Sequence, residues 1–338
     1  MPTMKDWEVT EWDRELFERE LDSFVPARIF DAHAHVYRLE DFAVGQAPAF
    51  VSAGPAVAGV VEVERCLQEL IPGRPLEGLY FPYPHRSMNT AAANEFLGQE
   101  LRQRQRSRGQ LLITPEMTPE EIYDAVRCWG FAGLKCYHVY AKRERTFEST
   151  IEEYLPESQV RVADELGLSI TLHIVRATAL ADAANQQTIR RYCRSYPRMR
   201  LILAHAARGF NPHHTIQGIE SLAGLDNVWF DTSAVTDCGA VEVIIRRLGH
   251  QRVLYGADFP VSHLRGRCVG LGDSFFWISP QNTQLQVPYA DLQLALVGHE
   301  SLRMLKVAAM ATGLTDSQVE DVFFGNAERL FGVQPESA

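Results

Sequence analysis

The chain has 338 residues, of which 46% are hydrophobic, so it can form one large domain or two ordinary ones with a sizeable core. Its formal net charge of −10 argues against nucleic acid and anionic membranes as main partners. The six scattered cysteines form no C-x-x-C pair, the amino terminus is acidic, and no apolar run reaches the ~18 residues of a membrane span, which together predict a reduced, soluble cytoplasmic protein.

The first predicted element is a helix over residues 11–24, where apolar residues recur at helical spacing among acidic ones. It forms part of an N-terminal helical extension, 1–27, ahead of a single main domain, 28–334. We expect this helix to lie against the outside or the bottom of the fold.

Residues 28–36 are predicted as a strand that ends in two histidines. Side chains alternate along an extended strand, so Ile29, Asp31, His33 and His35 are expected to share one face. Neutral imidazole is a common protein ligand for Zn²⁺, so this strand end is a candidate for part of a metal site. Two hydrogen-bonded histidines in a turn are the simpler alternative.

Seven further apolar runs follow, and helical patterns separate most of them. They are predicted as strands over 78–82, 110–114, 131–137, 168–173, 199–205, 227–231 and 252–258. Helices are predicted over 60–70, 89–106, 151–166, 177–196, 241–248, 291–311 and 317–324, with a further helix starting at a capping box at Thr118 and Asn326 capping a last short one.

Alternating strands and helices imply parallel strands with crossover helices, and eight strands predict an α/β fold of the closed (β/α)8 TIM barrel type. A long loop, 261–288, follows the eighth strand and is expected to cover the site. An open doubly wound sheet is the structural alternative. It does not explain why unusual polar residues fall at the carboxyl ends of several strands.

Those polar residues each lie where an apolar run stops: His33, His35, Lys135, His173, His205 and Asp258. Taken alone, each of these residues is more simply interpreted as a hydrogen-bonded residue of the core or of the barrel rim. In a barrel, however, the carboxyl ends of all strands converge on one face, where barrel enzymes have their active sites. The joint pattern therefore predicts a metal site assembled from separate strands.

The ordered set also resembles the amidohydrolase superfamily, in particular the amidohydrolase-related metal-dependent hydrolases and the nonoxidative decarboxylases grouped with them. The matching segments are Phe30-Asp-Ala-His-Ala-His35, Gly133-Leu-Lys135, Leu172-His173, Leu203-Ala-His205, Tyr255-Gly-Ala-Asp-Phe-Pro260 and Gly325-Asn-Ala-Glu-Arg-Leu-Phe331. The resemblance implies a distorted (β/α)8 barrel with one or two divalent ions, zinc being favoured and manganese being the alternative.

In the one-metal pattern of that family, the implied ligands are His33, His35, His173 and Asp258, and His205 is a catalytic or supporting group. In the two-metal pattern, a carbamylated Lys135 bridges the ions and His205 becomes a ligand. An unmodified lysine would be repelled by a nearby metal ion unless an anion lies between them, so Lys135 is modified, binds a substrate oxygen or points away. We favour one metal, with Lys135 free to meet an acidic substrate.

Two arginines support an acidic substrate, because Arg176 and Arg208 follow strand ends and guanidinium groups pair with carboxylates in bidentate fashion. Taken singly, each is more simply a surface arginine or a brace for its loop. Tyr137 and His138 also follow a strand end and are expected to line the pocket.

The leading hypothesis is metal-assisted hydrolysis of a small lactone, amide or ester that carries a carboxylate. A bound divalent ion lowers the pKa of water from 15.7 toward about 7. Asp258 would accept the proton and return it to the leaving group, and His205 would steer or polarise the substrate carbonyl. The alternatives are loss of CO₂ from an aromatic or unsaturated acid and metal binding without turnover. A homo-oligomer stays open.

Overall fold

Nine strands form one curled sheet in the computed structural model, which describes residues 7–282 and 292–333. In chain order they are β1 (Ile29–Arg38), β2 (Val57–Ala58), β3 (Leu76–Pro82), β4 (Arg108–Leu112), β5 (Gly133–Cys136), β6 (Ser169–Leu172), β7 (Arg200–Leu203), β8 (Val228–Asp231) and β9 (Val253–Leu254). The order is β2-β1-β3-β4-β5-β6-β7-β8-β9, and every neighbouring pair is parallel except β1 and β2.

The sheet closes where the chain beyond β9 returns to β1. The amide of Asp258 donates to the carbonyl of His33 at 2.8 Å, and the amide of His35 donates to the carbonyl of Phe259 at 3.0 Å. Leaving out the short β2, the remaining eight strands therefore form a ring. The distorted (β/α)8 barrel predicted from the sequence is confirmed, and the open sheet is excluded.

Helices surround the ring on its outer side, and the last short ones close its amino-terminal end. They span Glu11–Glu20, Ala49–Ser52, Val60–Leu70, Thr90–Leu101, Pro119–Trp129, Glu157–Leu166, Ala183–Ser195, Pro212–Gly218, Cys238–Leu248, Val297–Thr312, Asp316–Glu320 and Asn326–Phe331, with a π-helical turn at Asp321–Gly325. Within the two described ranges, none of these helices has both the length and the apolar character needed to cross a bilayer.

Several helix ends follow their sequence signals. Thr118 and Glu121 form the predicted capping box. The helix predicted over 151–166 starts only at Glu157, because Pro156 disfavours helical backbone in the residue before it. Asn326 was predicted as a cap, which is wrong: it continues from a helical turn, and its side-chain amide donates to the carbonyls of His250 and Val253.

Apolar side chains fill the barrel at its amino-terminal end. Phe30, Leu79, Ile202 and Leu254 point inward from the strands and pack against residues of the closing helices, including Leu330. The opposite side chains of the strands form a larger core with the surrounding helices. Because one end of the barrel is filled in this way, the carboxyl ends of the strands are left for the polar site.

The loop after β9 contains a hairpin that the sequence analysis did not predict. Strands β10 (Arg267–Leu271) and β11 (Ser274–Ile278) pair in antiparallel fashion. The predicted loop over 261–288 and the predicted helix over 291–311 both extend into residues outside the described ranges, as does the predicted domain end at 334. The described part of that helix begins at Val297.

The N-terminal helix lies on the outside of the barrel, as expected, and packs against the helix Val297–Thr312. Phe17 contacts the ring of His299, and Glu20 pairs with Arg303 at 2.8 Å. Asp13 forms a buried ion pair at 2.7 Å with Arg265, which lies in the segment after β9. The extension is thus tied to the same loop that carries the hairpin.

Candidate metal centre

His33 and His35 project from the end of β1 toward the inside of the barrel. The register of β1 against β3 shifts between Asp31 and Ala34, so the strand is bulged there. Both histidine rings contact Phe81, with ring centroids 4.8 and 4.9 Å apart. The prediction that they share a face is confirmed.

The same bulge overturns the rest of that prediction. Ile29 packs on the helix side, whereas Phe30 lies in the inner cluster with Phe81. Asp31 is a brace for the bulge: its Oδ1 accepts from the amides of His33 and Ala257, each at 2.9 Å. Regular alternation fails because one extra residue fits into the strand at this point.

Three predicted ligands, His33, His35 and Asp258, come together where the chain beyond β9 pairs with β1. Oδ1 of Asp258 lies 3.5 Å from Nε2 of His33 and 3.5 Å from Nε2 of His35. Their ligand atoms all lie within 4.8 Å of one another, and the three residues are buried. Asp258 has a positive φ of 60°, a conformation that is uncommon for a residue with a side chain and that turns its carboxylate toward the histidines.

The hydrogen bonds of the two histidines leave the same ring nitrogen available. Nδ1 of His33 lies 2.9 Å from Asp231 Oδ2, and Nδ1 of His35 lies 3.4 Å from the carbonyl of Pro82. Carboxylate and carbonyl oxygens only accept, so each Nδ1 carries the proton and each neutral ring presents the lone pair of Nε2. Three lone-pair atoms therefore face one another, an arrangement that a shared cation stabilises.

Asp231, at the end of β8, also belongs to this site, although it was not predicted from the sequence. Besides meeting His33, its Oδ1 accepts from the amide of His205 at 2.9 Å and from the amide of Ser233 at 3.1 Å. With His33 and His205 it forms a second set of ligand atoms within 4.8 Å. It could have been found by the same signal as the others, since an apolar run also stops at this aspartate.

His205 begins a left-handed turn that continues to Arg208. The φ angles of His205, Ala206, Ala207 and Arg208 are 57°, 51°, 59° and 56°. Nδ1 of His205 lies 2.8 Å from the carbonyl of Ser233, so this nitrogen also carries the proton. In the neutral ring Nε2 therefore accepts rather than donates, and His205 can polarise a substrate carbonyl only when both ring nitrogens are protonated.

His173 lies on the far side of His205, with ring centroids 5.0 Å apart. It is outside both sets of close ligand atoms. Its Nδ1 is buried and has no hydrogen-bond partner among the described residues. A buried imidazole nitrogen without a partner is the kind of atom that a metal ion or a ligand satisfies.

Lys135 points into the centre of the barrel, so it does not point away from the site. Its Nζ lies 3.3 Å from Nε2 of His33 and 4.2 Å from the ring centroid of Phe81. Burial lowers the pKa of Lys135 to about 8. The lysine thus contacts Nε2 of His33, the atom that is expected to bind the ion. Of the three alternatives for Lys135, modification of the amine and contact with a substrate oxygen remain.

The buried histidines are in the form that binds metals. Burial lowers the pKa of His33, His35 and His173, so that the neutral ring is favoured at pH 7. Neutral imidazoles and an ionised carboxylate form a donor set suited to Zn²⁺ or Mn²⁺.

A cavity of about 420 Å³ lies beside these residues. Its polar wall consists of Tyr137, His173, His205, Arg208 and Asp258. Its apolar wall consists of Phe50, Phe147, Phe210, Val261, Leu264, Phe275 and Trp277. A few convergent polar groups in a mostly apolar cavity are typical of a small-molecule site.

Arg208 lines this cavity and is only 8% exposed. Its Nη1 donates to the carbonyl of Arg176 at 2.8 Å, and its guanidinium lies over the rings of Phe147 and Phe275. Among the described residues no carboxylate lies within ion-pair distance of it. A buried guanidinium without an acidic partner is suited to an anionic ligand.

The other three predicted substrate contacts differ in position. Arg176 forms an ion pair with Asp182 at 2.8 Å and braces the loop that supports Arg208. Tyr137 lines the cavity and contacts the ring of His173 at 4.9 Å. His138 is buried behind it, where its Nδ1 lies 3.0 Å from the hydroxyl of Thr146.

A barrel with histidines and a carboxylate gathered at the carboxyl ends of its strands has the architecture of a barrel enzyme with a metal site. The family model described as amidohydrolase matches residues 30–333, so the chain belongs to the amidohydrolase family. Members of this family are metal-dependent enzymes. The resemblance noted in the sequence is thereby confirmed.

Solved structures with the same fold include enzymes of different reaction types. A putative 2-pyrone-4,6-dicarboxylic acid hydrolase from Pseudomonas putida is 16% identical, with a TM-score of 0.58 over 92% of this chain and 100% of that one. The 5-carboxyvanillate decarboxylase from Sphingomonas paucimobilis is 13% identical, with a TM-score of 0.56 over 91% and 100%. No curated protein matches the sequence.

A third structure is a dihydroxybenzoic acid decarboxylase from a Polaromonas species, solved with bound manganese and an inhibitor. It is 15% identical, with a TM-score of 0.53 over 92% of this chain and 98% of that one. At such identities the likeness shows a common fold, and the reaction of this chain has to be argued from its own residues.

Proposed function

We propose that the protein is a metal-dependent hydrolase of a small lactone, amide or ester that carries a carboxylate. The observation that supports this most is the position of Asp258. Its carboxylate borders the cavity and lies 3.5 Å from the Nε2 atoms of His33 and His35. A group that accepts protons is thus next to the expected metal position and next to the space for a substrate.

One divalent ion would be held by His33, His35, His173 and Asp258, zinc being favoured and manganese being the alternative. When bound, such an ion lowers the pKa of water from 15.7 to about 7 and polarises a carbonyl oxygen. Two observations are consistent with this assignment: the lone pairs of the buried rings, and the Nδ1 of His173, which meets no hydrogen-bond partner in the described ranges.

The protein residues supply binding and proton transfer. Arg208 holds the substrate carboxylate through the guanidinium that no acidic side chain of the described residues occupies. Asp258 accepts the proton of the attacking water and returns it to the leaving group. His205 is a second acceptor through Nε2, a role that its hydrogen bond to Ser233 favours over polarisation of the carbonyl.

Lys135, Tyr137 and His138 have supporting roles in this proposal. Lys135 stays unmodified and contacts a substrate oxygen. Its Nζ lies 3.3 Å from Nε2 of His33, next to the expected metal position. Tyr137 contacts the substrate from the cavity wall, and His138 packs behind Tyr137 at 4.7 Å between ring centroids. Arg176 acts through Arg208 by holding its loop.

Nonoxidative decarboxylation of an aromatic or unsaturated acid is the second candidate. The observation that favours it is the apolar wall, in which Phe210, Phe275 and Trp277 face one another around the cavity at ring distances of 5.1 and 5.5 Å. Such a wall fits a flat ring and excludes water. In that reaction His205, when doubly protonated, or Asp258 would protonate the ring carbon.

The two candidates differ in the fate of solvent atoms. The metal-loaded protein is incubated with a panel of carboxylated lactones and of hydroxybenzoates, in H₂¹⁸O and separately in D₂O. Hydrolysis incorporates ¹⁸O into the product and releases no CO₂. Release of CO₂ with deuterium on the product carbon would show that the reaction is decarboxylation and not hydrolysis. If neither panel is turned over with any divalent metal, both proposals are refuted.

A further inference from the structure

We propose that Asp231 is a positioning residue that links the metal ligand His33 to the turn carrying Arg208. This inference rests on the proposed metal site. Asp231 is buried, and its two oxygens serve different elements of the site. Oδ2 holds Nδ1 of His33 at 2.9 Å, and Oδ1 holds the amide of His205 at 2.9 Å.

The contact with His33 sets which ring nitrogen can bind a metal ion. As long as Asp231 accepts from Nδ1, the lone pair belongs to Nε2, which lies 3.5 Å from Asp258. The contact also fixes the plane of the ring, since one nitrogen is held while the other must reach the ion. Carboxylates in this position orient metal-bound histidines and raise their basicity.

The contact with His205 anchors a strained segment. Four consecutive residues with side chains adopt positive φ angles between 51° and 59°, a conformation that is disfavoured for L-amino acids and persists only where surrounding contacts fix it. Asp231 anchors the first residue of this turn, and the hydroxyl of Thr215 donates to the carbonyl of the second, Ala206, at 3.0 Å. Arg208 lies at the far end of the turn.

Ser233 completes the set of donors around the carboxylate. Its amide lies 3.1 Å from Oδ1 of Asp231, and its hydroxyl also donates to that oxygen. With the ring of His33 and the amide of His205, the carboxylate is met by four donors. A neutral amide in place of this carboxylate would face at least one donor with its own NH₂ group.

The test uses Asp231→Asn, which keeps the size of the side chain. Asp321→Asn is the matched control, because Asp321 also pairs with a histidine, His250, at 3.2 Å. Asp321 lines a different pocket, at the other end of the barrel. Zn²⁺ affinity of the apo protein is measured by equilibrium dialysis, and benzoate affinity is measured with Zn²⁺ bound. We expect Asp231→Asn to weaken Zn²⁺ binding by about 10–100-fold and to weaken benzoate binding, while Asp321→Asn changes neither.

Unchanged Zn²⁺ affinity in folded Asp231→Asn would overturn the inference and leave the proposed function standing. If the wild-type protein binds two ions and the variant one, Asp231 is a ligand and the inference also fails. A wild-type protein that binds no divalent ion refutes both proposals. If Asp231→Asn does not fold, Ser233→Ala decides: a several-fold loss of Zn²⁺ affinity supports the role of Asp231, and no loss refutes it.

Discussion

Arg208 lies three residues beyond His205 on a left-handed turn, and the two side chains line the same cavity. A right-handed continuation of β7 would direct these side chains differently. Each left-handed residue costs about 1–2 kcal/mol relative to right-handed backbone, so the turn is a substantial local strain. Such strain is typical of functional sites, where the surrounding structure fixes it.

Arg208 is expected to bind the carboxylate of the substrate. Replacing it by glutamine removes the charge, and charge-assisted hydrogen bonds contribute about 1.5–3 kcal/mol. We therefore expect Arg208→Gln to raise KM by roughly 10–100-fold, since each 1.4 kcal/mol is a factor of ten. Steady-state kinetics on the substrate that the panel identifies measures this.

Arg208→Lys is the companion variant, because lysine keeps the positive charge but lacks the bidentate fork. It should lose less affinity than Arg208→Gln, and both variants should retain the metal. A KM that stays at the wild-type value in Arg208→Gln would show that the substrate carboxylate binds elsewhere.

The hairpin after β9 is expected to select flat, apolar substrate rings. Phe275 and Trp277 alternate with Phe276 along β11, so the first two face the cavity and Phe276, which is 48% exposed, faces away. Trp277→Ala should raise KM about tenfold or more for a substrate with a ring, because burial of a large apolar side chain is worth about 1.5–3 kcal/mol.

Phe276→Ala is the matched control, since it removes an aromatic side chain from the same strand on the opposite face. We expect its KM to equal that of the wild type. Equal effects of the two substitutions would mean that the hairpin acts through its stability and not through contact with the substrate.

The ion pair of Asp13 and Arg265 is expected to stabilise the fold. Both side chains are inaccessible to solvent, and removing one partner of a buried ion pair costs about 3–5 kcal/mol. Asp13→Ala should lower the free energy of unfolding by that amount in denaturant titrations. Glu20→Gln, which breaks a one-third-exposed pair with Arg303, should cost at most about 1 kcal/mol.

The contribution of Asp13 depends on pH in a defined direction. Burial alone would raise the pKa of Asp13, but hydrogen bonds from Arg265 and Thr10 hold it below its ordinary value. A carboxyl with a lowered pKa in the folded state stabilises the protein above its unfolded pKa of about 3.9. That stabilisation is lost as the pH falls through the folded pKa.

The difference in unfolding free energy between wild type and Asp13→Asn should therefore be constant from pH 7 to about pH 5 and shrink below about pH 4. A difference that grows on acidification would contradict the assigned direction. The pair also links the N-terminal helix to the segment after β9, so its loss is expected to loosen both.

The periodicity of apolar residues and the helix-capping and turn residues predicted the barrel well. The apolar runs at 168–173 and 199–205 gave β6 and β7 to within a few residues, and Thr118 started its helix as its capping pattern indicates. These features are local, so the sequence alone specifies them. The convergence of His33, His35 and Asp258 followed from one global rule, that parallel strands end on the same face.

The remaining features depend on contacts between distant parts of the chain. The bulge in β1 is set by its pairing with β3, and the role of Asp231 by a histidine 198 residues earlier. The hairpin could have been predicted, because Gly272 and Asp273 form a two-residue turn between two apolar stretches and Gly272 adopts a φ of 60°. The ion pair that makes Arg176 a brace is visible only in the structure.

Metal content is the most direct test of the central hypothesis, that His33, His35, His173 and Asp258 hold one divalent ion. Inductively coupled plasma mass spectrometry of the dialysed wild-type protein should find one zinc or manganese ion per chain, and His33→Ala and Asp258→Ala should each lose it while remaining folded. A wild-type protein free of divalent metal after loading, or variants that retain the full metal content, would contradict the hypothesis.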